Sequence, residues 1–163
     1  MSTHLLIDGY NFFKQSAIAA LSGAPDLESG RRYLLDELWR YKKQKNIRIT
    51  VVFDGTHGSS PGRKKESYRG VDVVYSKQGE TADEVIMETI RAHHAGLVIV
   101  TYDRAIIDVA KKHAVPFITP ARLEAALAGG APDDEDRGRP EKKGNPRKAP
   151  KGIRRARRAV KKI

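Results

Sequence analysis

The sequence has 163 residues, of which 39% are hydrophobic and 31% are charged, and this balance is typical of one globular domain with a highly charged surface. It contains no cysteine, which excludes disulfides, Cys-based zinc sites and thiol nucleophiles. The first residues lack the pattern of a signal peptide, and no stretch approaches the roughly 20 apolar residues of a membrane helix. We therefore expect a cytoplasmic protein with no membrane partner.

Apolar periodicity predicts strands and helices in alternation along most of the chain. In chain order, the predicted elements are a strand at residues 4–8, helices at 10–21 and 26–46, a strand at 47–53, a polar loop at 56–70, a strand at 71–75, a helix at 81–94, a strand at 97–101, a helix at 103–113, a strand at 116–118 and a helix at 119–128. Gly9 is expected to break the first pattern, and Thr81 and Glu84 fit a capping box. This alternation predicts an α/β domain with a central, mostly parallel sheet.

The net charge of +11 is unevenly distributed. Residues 131–163 carry 13 Lys and Arg against 5 Asp and Glu, whereas residues 1–130 carry 18 against 15. The composition also changes to Gly, Pro and charge near residue 130, so we predict a domain at 1–129 and a basic, disordered tail at 130–163. Such a block usually contacts phosphate polymers or anionic surfaces, and the alternative is an ordinary solvated run.

Carboxylates follow three of the predicted strands. Asp8, Asp54 and Asp103 each stand where an apolar strand ends, and Asp83 lies in the first turn of a helix whose preceding loop reaches the same place. Because parallel strands end at one edge of a sheet, and ligands bind at that edge, these acids are expected to converge. Each acid alone has another interpretation: a strand-end Asp often forms a turn or caps a helix, and Asp83 can simply favour its helix N-terminus.

A cluster of carboxylates predicts a divalent cation, because the acids repel one another unless a cation neutralises them. Oxygen ligands favour Mg²⁺ or Mn²⁺, and such ions activate water for phosphodiester hydrolysis. Basic side chains would hold a phosphate backbone near that edge. The candidates are Arg63, Lys64, Lys65, Arg69, Arg104, Arg154, Arg155, Arg157 and Arg158.

Other polar and aromatic residues carry weaker functional hypotheses. Glu84 is expected to be the capping-box partner of Thr81, and His57, beside Asp54, is a minor candidate for the site. The remaining residues are expected at helix ends, on the surface or in the core: His93, His94, Asp108, Tyr10, Phe12 and Phe13.

Four motifs, in this order and at this spacing, resemble those of NYN-domain proteins, a branch of the PIN-like nuclease superfamily, and in particular of the bacterial YacP-like group. They are Leu6-Ile7-Asp8-Gly9-Tyr10-Asn11, Val51-Val52-Phe53-Asp54-Gly55, Glu80-Thr81-Ala82-Asp83-Glu84 and Val100-Thr101-Tyr102-Asp103-Arg104. The resemblance covers residues 3–128. Tyr102 stands where a smaller or more polar residue is expected.

The resemblance implies a PIN-like three-layer α/β/α sandwich and a Mg²⁺- or Mn²⁺-dependent endoribonuclease with no small-molecule cofactor. It implies that Asp8, Asp83 and Asp103 bind the metal and that Asn11 accompanies the first acid. Asp54 and Glu80 would be further members of the catalytic site. The best-described role of YacP-like proteins is mRNA cleavage at the ribosome, so the resemblance implies mRNA and the ribosome as partners.

Two other functional classes compete with the nuclease. A non-catalytic RNA- or ribosome-binding protein could keep the fold, but the complete set of acids favours the enzyme. A phosphatase with an Asp-x-Asp pair is disfavoured because Gly9 and Tyr10 follow Asp8. No Gly-x-x-x-x-Gly-Lys loop is present, which argues against a P-loop enzyme.

Overall fold

A computed structural model describes residues 2–15, 27–55, 61–92 and 94–129 of the chain. The strands are β1 (Thr3–Asp8), β2 (Ile47–Phe53), β3 (Lys64–Tyr68), β4 (Val71–Tyr75), β5 (Leu97–Val100) and β6 (Phe117–Ile118). The helices are α1 (Gly9–Gln15), α2 (Leu27–Gln44), α3 (Ala82–Arg91), α4 (Arg104–Lys112) and α5 (Pro120–Leu127). No helix among these residues is both long and apolar enough to cross a membrane.

The six strands form one sheet in the order β3-β4-β2-β1-β5-β6. All neighbouring strands are parallel except β3, which pairs antiparallel with β4 at one edge. From β1 the chain adds β2 and then β4 on one side, and β5 and β6 lie on the other side of β1. The strand order therefore reverses beside β1, and ligands of open α/β sheets bind at such a reversal, beyond the carboxyl ends of the strands.

Helices cover both faces of the sheet, which confirms the predicted three-layer α/β/α sandwich. Alternate residues of a strand point to opposite faces, so Leu5 and Ile7 belong to one core and Leu6 to the other. The first core includes Phe12 of α1, Leu38 of α2 and Leu123 of α5. The second core is closed by α3 and α4 through Val85, Ile86, Ile90, Ile106 and Ala110.

Strand β3 contradicts the predicted loop at 56–70, which is wrong for residues 64–68. The strand is mostly exposed and polar, so it carries no apolar alternation by which sequence could identify it. It forms because Arg69 and Gly70, with φ of +50° and +87°, make the two-residue turn that pairs it with β4. Lys64 consequently lies opposite Tyr75.

Gly9 ends the strand pattern as expected: β1 stops at Asp8, and Gly9 is the first residue of α1, one residue before the predicted start of the helix. A Cβ at this position would lie 2.3 Å from the Phe53 ring, so the start of α1 can approach β2 only with glycine there. The helix predicted at 10–21 is described as far as residue 15, and residues 16–26 lie outside the described part of the chain. The same holds for residues 56–60, with His57, for His93, and for the predicted tail at 130–163.

Helix starts follow the predicted capping chemistry. The Thr81 side chain accepts a hydrogen bond from the Glu84 N–H, and the Glu84 carboxylate accepts one from the Thr81 N–H, which confirms the capping box. Asp103 caps α4 and Thr119 caps α5. Asp103 therefore follows a strand and caps a helix, as the alternative interpretation of a strand-end Asp expected, and its catalytic role stays a prediction.

Candidate active site

Three strand-end carboxylates lie at the carboxyl edge of the sheet because β1, β2 and β5 are parallel. Asp8, the last residue of β1, pairs with Val52 of β2, and Ile7 pairs with Val100 of β5. Asp54 follows two residues after Val52, and Asp103 follows three residues after Val100. The side chains that the sequence separates by about fifty residues therefore meet at the reversal of strand order.

Asp8 is the most buried of these acids, with a relative exposure of 5%. The pKa of its carboxyl is raised to about 7, chiefly by burial; a hydrogen bond from the Asn11 N–H lowers this pKa, and the charges of Asp83, Asp54 and Asp103 raise it. That hydrogen bond has an N···O distance of 3.3 Å. Every charged group that shifts this pKa is a carboxylate, so the site concentrates negative charge.

Asp83 joins the cluster from the first turn of α3. Partial burial raises the pKa of its carboxyl, and so do the charges of Asp103 and Asp54 and a hydrogen bond with the Asp103 side chain. The charges of Asp54 and Asp103 are thus close enough to oppose the ionisation of both Asp8 and Asp83.

Backbone N–H groups hold two of the acids in place. Asp54 Oδ1 accepts a hydrogen bond from the Ala82 N–H at 2.6 Å, which connects the end of β2 to the start of α3. Asp103 Oδ1 accepts hydrogen bonds from the N–H groups of Ala105 at 2.8 Å and Ile106 at 3.3 Å. In both carboxylates these backbone hydrogen bonds go to Oδ1, and none of them goes to Oδ2.

Asn11 acts on the loop that follows β5. Its Oδ1 accepts a hydrogen bond from the Tyr102 N–H at 2.8 Å, and this bond joins positions 91 residues apart in sequence. The Tyr102 side chain is 37% exposed, so its size does not obstruct the core. Asn11 thus fixes the backbone beside Asp103 while its own N–H donates to Asp8.

Glu80 does not contribute to the shifted pKa values of Asp8 and Asp83. Its carboxylate forms a two-oxygen ion pair with Arg63, with contacts of 2.6–3.2 Å, and accepts a hydrogen bond from the Lys77 N–H. The Arg63 hydrogen bond lowers the pKa of Glu80. Arg63 also pairs with Glu88 of α3. The geometry gives Glu80 a contact that organises the loop before Asp83, and its catalytic role stays a prediction.

The predicted nucleic-acid-binding residues differ in what they contact. Arg63 is engaged as just described, and Lys64 pairs with Glu66 at 2.7 Å. Lys65 and Arg104 are exposed, and Arg69 stacks over Trp39. The four arginines at 154, 155, 157 and 158 lie outside the described residues.

Sequence reasoning missed two buried hydroxyl residues beside the acids. Thr101 is fully buried, and its Oγ1 accepts a hydrogen bond from the Asp103 N–H at 3.0 Å. Ser76 Oγ accepts one from the Gly55 N–H at 3.0 Å, directly after Asp54. A polar residue placed between an apolar strand and an acid, as Thr101 is, was the available signal.

The donor set suits a divalent cation in its chemistry. Asp8, Asp83 and Asp103 offer only oxygen, and Asp8 is buried among carboxylates, an arrangement that a cation would relieve. Over residues 2–15, 27–55, 61–92 and 94–129, however, no three His, Asp or Glu side chains are arranged to hold a metal ion. Side-chain movements would thus have to accompany cation binding. With a cation bound, this edge could attract phosphate and position a water molecule.

Comparison with known proteins gives a consistent family. The sequence matches the family profile described as "YacP-like NYN domain" over residues 5–156. This range extends beyond residues 3–128, where the motifs were recognised, into most of the predicted tail. A curated relative from Bacillus subtilis (strain 168), named "Uncharacterized protein YacP", is 33% identical over 88 residues, covering 54% of this chain and 51% of the relative. The aligned part thus spans about half of that relative's length.

Two crystal structures of Rae1 (YacP) from Bacillus subtilis share the fold. One matches with a TM-score of 0.64 and 25% identity, covering 79% of this chain and 75% of that chain. A mutant form of the same protein matches with a TM-score of 0.64 and 22% identity, covering 78% and 76%. Both matches show the shared architecture.

Proposed function

The chain belongs to the YacP-like NYN family, which has a nuclease-type fold, and from this premise we propose that it is a metal-dependent endoribonuclease. The reaction is hydrolysis of RNA phosphodiester bonds. One observation carries the proposal: Asp8 is 5% exposed and every charge that shifts its pKa is another carboxylate. A concentration of buried negative charge opposes folding, so its presence indicates a use for it.

Asp8, Asp83 and Asp103 would hold Mg²⁺ or Mn²⁺. When bound, such a cation supplies a water nucleophile of lowered pKa and stabilises charge on the leaving oxygen. The chain's own groups orient the acids: the N–H groups of helix α4 hold Asp103, and the Ala82 N–H holds Asp54. Asn11 fixes the backbone at Tyr102, so the acids beyond β1 and β5 keep a common spacing.

The substrate and the setting extend the proposal. The motif resemblance to YacP-like proteins leads us to propose mRNA as the substrate and the ribosome as a partner, in the cytoplasm. Lys65 and Arg104 are exposed basic side chains on two elements that flank the acidic edge. They would contact phosphates of the substrate strand without selecting bases.

The test is cleavage of defined single-stranded RNAs by the full chain, with and without ribosomes, in Mg²⁺, Mn²⁺ or EDTA. We expect cleavage only with a divalent cation. Asp83→Asn should lower the rate by at least about a hundredfold, since it removes a ligand while α3 keeps its cap. Asp108→Asn, on the exposed side of α4, is the matched control and should cleave normally. Cleavage that persists in excess EDTA would contradict the metal mechanism.

A second candidate, a non-catalytic RNA-binding protein, is favoured by one observation. Within the described residues, no three of the carboxylates are arranged to hold a metal ion. If the wild-type protein binds RNA but cleaves none in any divalent cation, and Asp83→Asn binds equally well, this second function replaces the first.

A further inference from the structure

A cluster of cations and aromatic rings lies at the end of the sheet opposite the acids. It comprises Trp39, Lys42, Lys43, Tyr68 and Arg69, here called the basic–aromatic patch. Arg69 lies in the turn between β3 and β4, which is at the amino end of β4, whereas Tyr75 ends β4 on the side of the acids. The patch uses the last turns of α2, so helix and turn meet at this corner.

Arg69 adopts a backbone conformation that is uncommon for a residue with a side chain. Its φ is +50°, a value usually taken in such turns by Asn, Asp or Gly. The conformation places the guanidinium 4.6 Å from the centre of the Trp39 ring and 5.8 Å from that of Tyr68. Backbone strain of this kind is often retained where a side chain has a function.

The cations of the patch remain available to a ligand. Lys43 Nζ lies 4.8 Å from the Trp39 ring centre, and Lys42 Nζ lies 3.0 Å from the point that a Cβ on Gly70 would occupy. In the described part of the chain, none of Lys42, Lys43 and Arg69 forms an ion pair with a carboxylate. Stacking occupies the face of a guanidinium and leaves its N–H donors pointing outward in the plane.

Two exposed bases elsewhere on the sheet are paired, unlike the cations of the patch. Arg48 pairs with Asp72 and Lys64 with Glu66. Among the residues that the structure describes, the carboxylate that contacts the patch is Asp36, which accepts a hydrogen bond from the Tyr68 hydroxyl at 2.7 Å. The patch therefore has a surplus of positive charge.

We propose that the basic–aromatic patch binds phosphate groups of RNA, as an anchor separate from the acidic edge. The proposal rests on the proposed function and adds helix α2 to the surface that holds the nucleic acid. Strand β3 pairs with β4 from Lys64 to Tyr68, a length of about 14 Å at ~3.4 Å per residue. A stacked RNA strand advances about 3.4 Å per phosphate, so roughly four nucleotides span the length of β3.

The other anionic polymer that could bind here is an acidic protein segment, because a guanidinium pairs with carboxylates as well as with phosphates. Guanidinium N–H groups match phosphate oxygens two at a time, and the neighbouring lysines supply further charge. Competition with poly-L-glutamate distinguishes the two, because a surface that selects only negative charge binds both polymers.

The experiment measures binding of the full chain to a fluorescent, unstructured 20-nucleotide RNA by anisotropy, in EDTA, over a range of salt. The double variant Lys43→Glu/Arg69→Glu should raise the Kd for RNA by roughly tenfold or more. It should also reduce the slope of log affinity against log salt concentration by about 1.4, or 0.7 per lost phosphate contact. Lys111→Glu/Lys112→Glu changes the charge equally on α4, where Lys111 also lies over a ring, Phe117. This control should change Kd by less than about a third of that factor. Should the Glu variant fail to fold by circular dichroism, Lys43→Gln/Arg69→Gln makes the same comparison with a smaller loss.

Equal Kd and slope for the patch variant and its control would overturn the proposal, as would a loss of poly-L-glutamate binding with RNA binding unchanged. The binding readout does not depend on cleavage. A wild-type protein that binds through the patch but never cleaves refutes only the proposed function, whereas one that cleaves but binds without the patch refutes only this inference.

Discussion

At the scale of single residues, Asp8 shows how the proposed activity conflicts with stability. Its carboxyl has an ordinary pKa near 3.8 and a folded value of about 7, chiefly because of burial. The folded state therefore retains a proton that the unfolded state releases between these values, and stability decreases as pH rises through that window. His4 shifts in the opposite direction: its pKa is lowered to about 4, mainly by burial, so its contribution is lost as pH falls from 6.5 towards 4. The two groups partly offset each other in the wild-type protein.

Replacement of Asp8 by Asn isolates the carboxyl's contribution. In EDTA, Asp8→Asn should be more stable than wild type above pH 7, by up to about 4 kcal/mol from the pKa difference. The advantage should shrink as pH falls and be small at pH 4, where Asp8 is protonated in the folded wild-type protein and about half protonated in the unfolded one. His4 is common to both proteins and cancels in the difference. The measurement is urea unfolding at pH 4, 6 and 8.

Added Mg²⁺ supplies the control for this prediction. A cation that binds only the folded state stabilises it by RT ln(1 + [L]/Kd), so Mg²⁺ should raise wild-type stability at pH 8 and have little effect on Asp8→Asn. An Asp8→Asn protein that is less stable than wild type at pH 8 in EDTA would mean that the carboxylate is a structural group rather than a charge awaiting a cation.

At the scale of elements, the loop before α3 determines where Asp83 lies. Glu80 closes this loop by accepting the Lys77 N–H, and Arg63 attaches it to the segment before β3. The same Arg63 contacts Glu88, one turn further along α3 than Glu84. The Arg63 guanidinium therefore joins the loop before α3, the segment before β3 and helix α3. A change in any of these three elements is expected to move Asp83.

A double-mutant cycle separates positioning from metal ligation by Glu80. If Glu80 acts through Arg63, then Glu80→Gln and Arg63→Gln should lower kcat by a similar factor, up to about a hundredfold for a displacement near 1 Å. The double variant should lose no more than either single one, and half-saturating Mn²⁺ should not change. Arg40→Gln, which breaks the exposed pair with Glu37, is the matched control. A rise in half-saturating Mn²⁺ for Glu80→Gln alone would instead identify Glu80 as a ligand.

At the scale of the whole molecule, opposite charges lie at opposite ends of the sheet. Acids gather beyond the carboxyl ends of β1, β2 and β5, and the basic–aromatic patch lies at the other end, beside the turn at Arg69. Residues 137–163, outside the described part, add 13 Lys and Arg against one acid. Anionic RNA can be held by cations at a distance while its reacting phosphate depends on a bound metal at the acids.

The C-terminal arginines test whether attachment and cleavage are separable. In the full chain, Arg154→Gln/Arg155→Gln/Arg157→Gln/Arg158→Gln should reduce the salt slope of RNA binding by up to about 2.8, at 0.7 per contact. The rate at saturating RNA should stay near that of wild type, because the carboxylates all lie upstream. Anisotropy titrations and single-turnover cleavage provide the two readouts. An unchanged slope would identify the segment as a solvated run.

The sequence by itself determined the layers and the location of the acids, because both depend on local patterns. Apolar runs such as residues 97–100 specify buried strands, and an acid after each run is carried to a common edge once the strands are parallel. Capping at Thr81 likewise depends on residues only three positions apart.

The tertiary structure alone decided what distant residues do together. Strand β3 exists because β4 offers it a partner, Glu80 meets Arg63 across 17 positions, and Asn11 meets Tyr102 across 91. The raised pKa of Asp8 also needs burial and neighbours from three other segments. Periodicity encodes which side of an element is buried, but not which polar group will be opposite it.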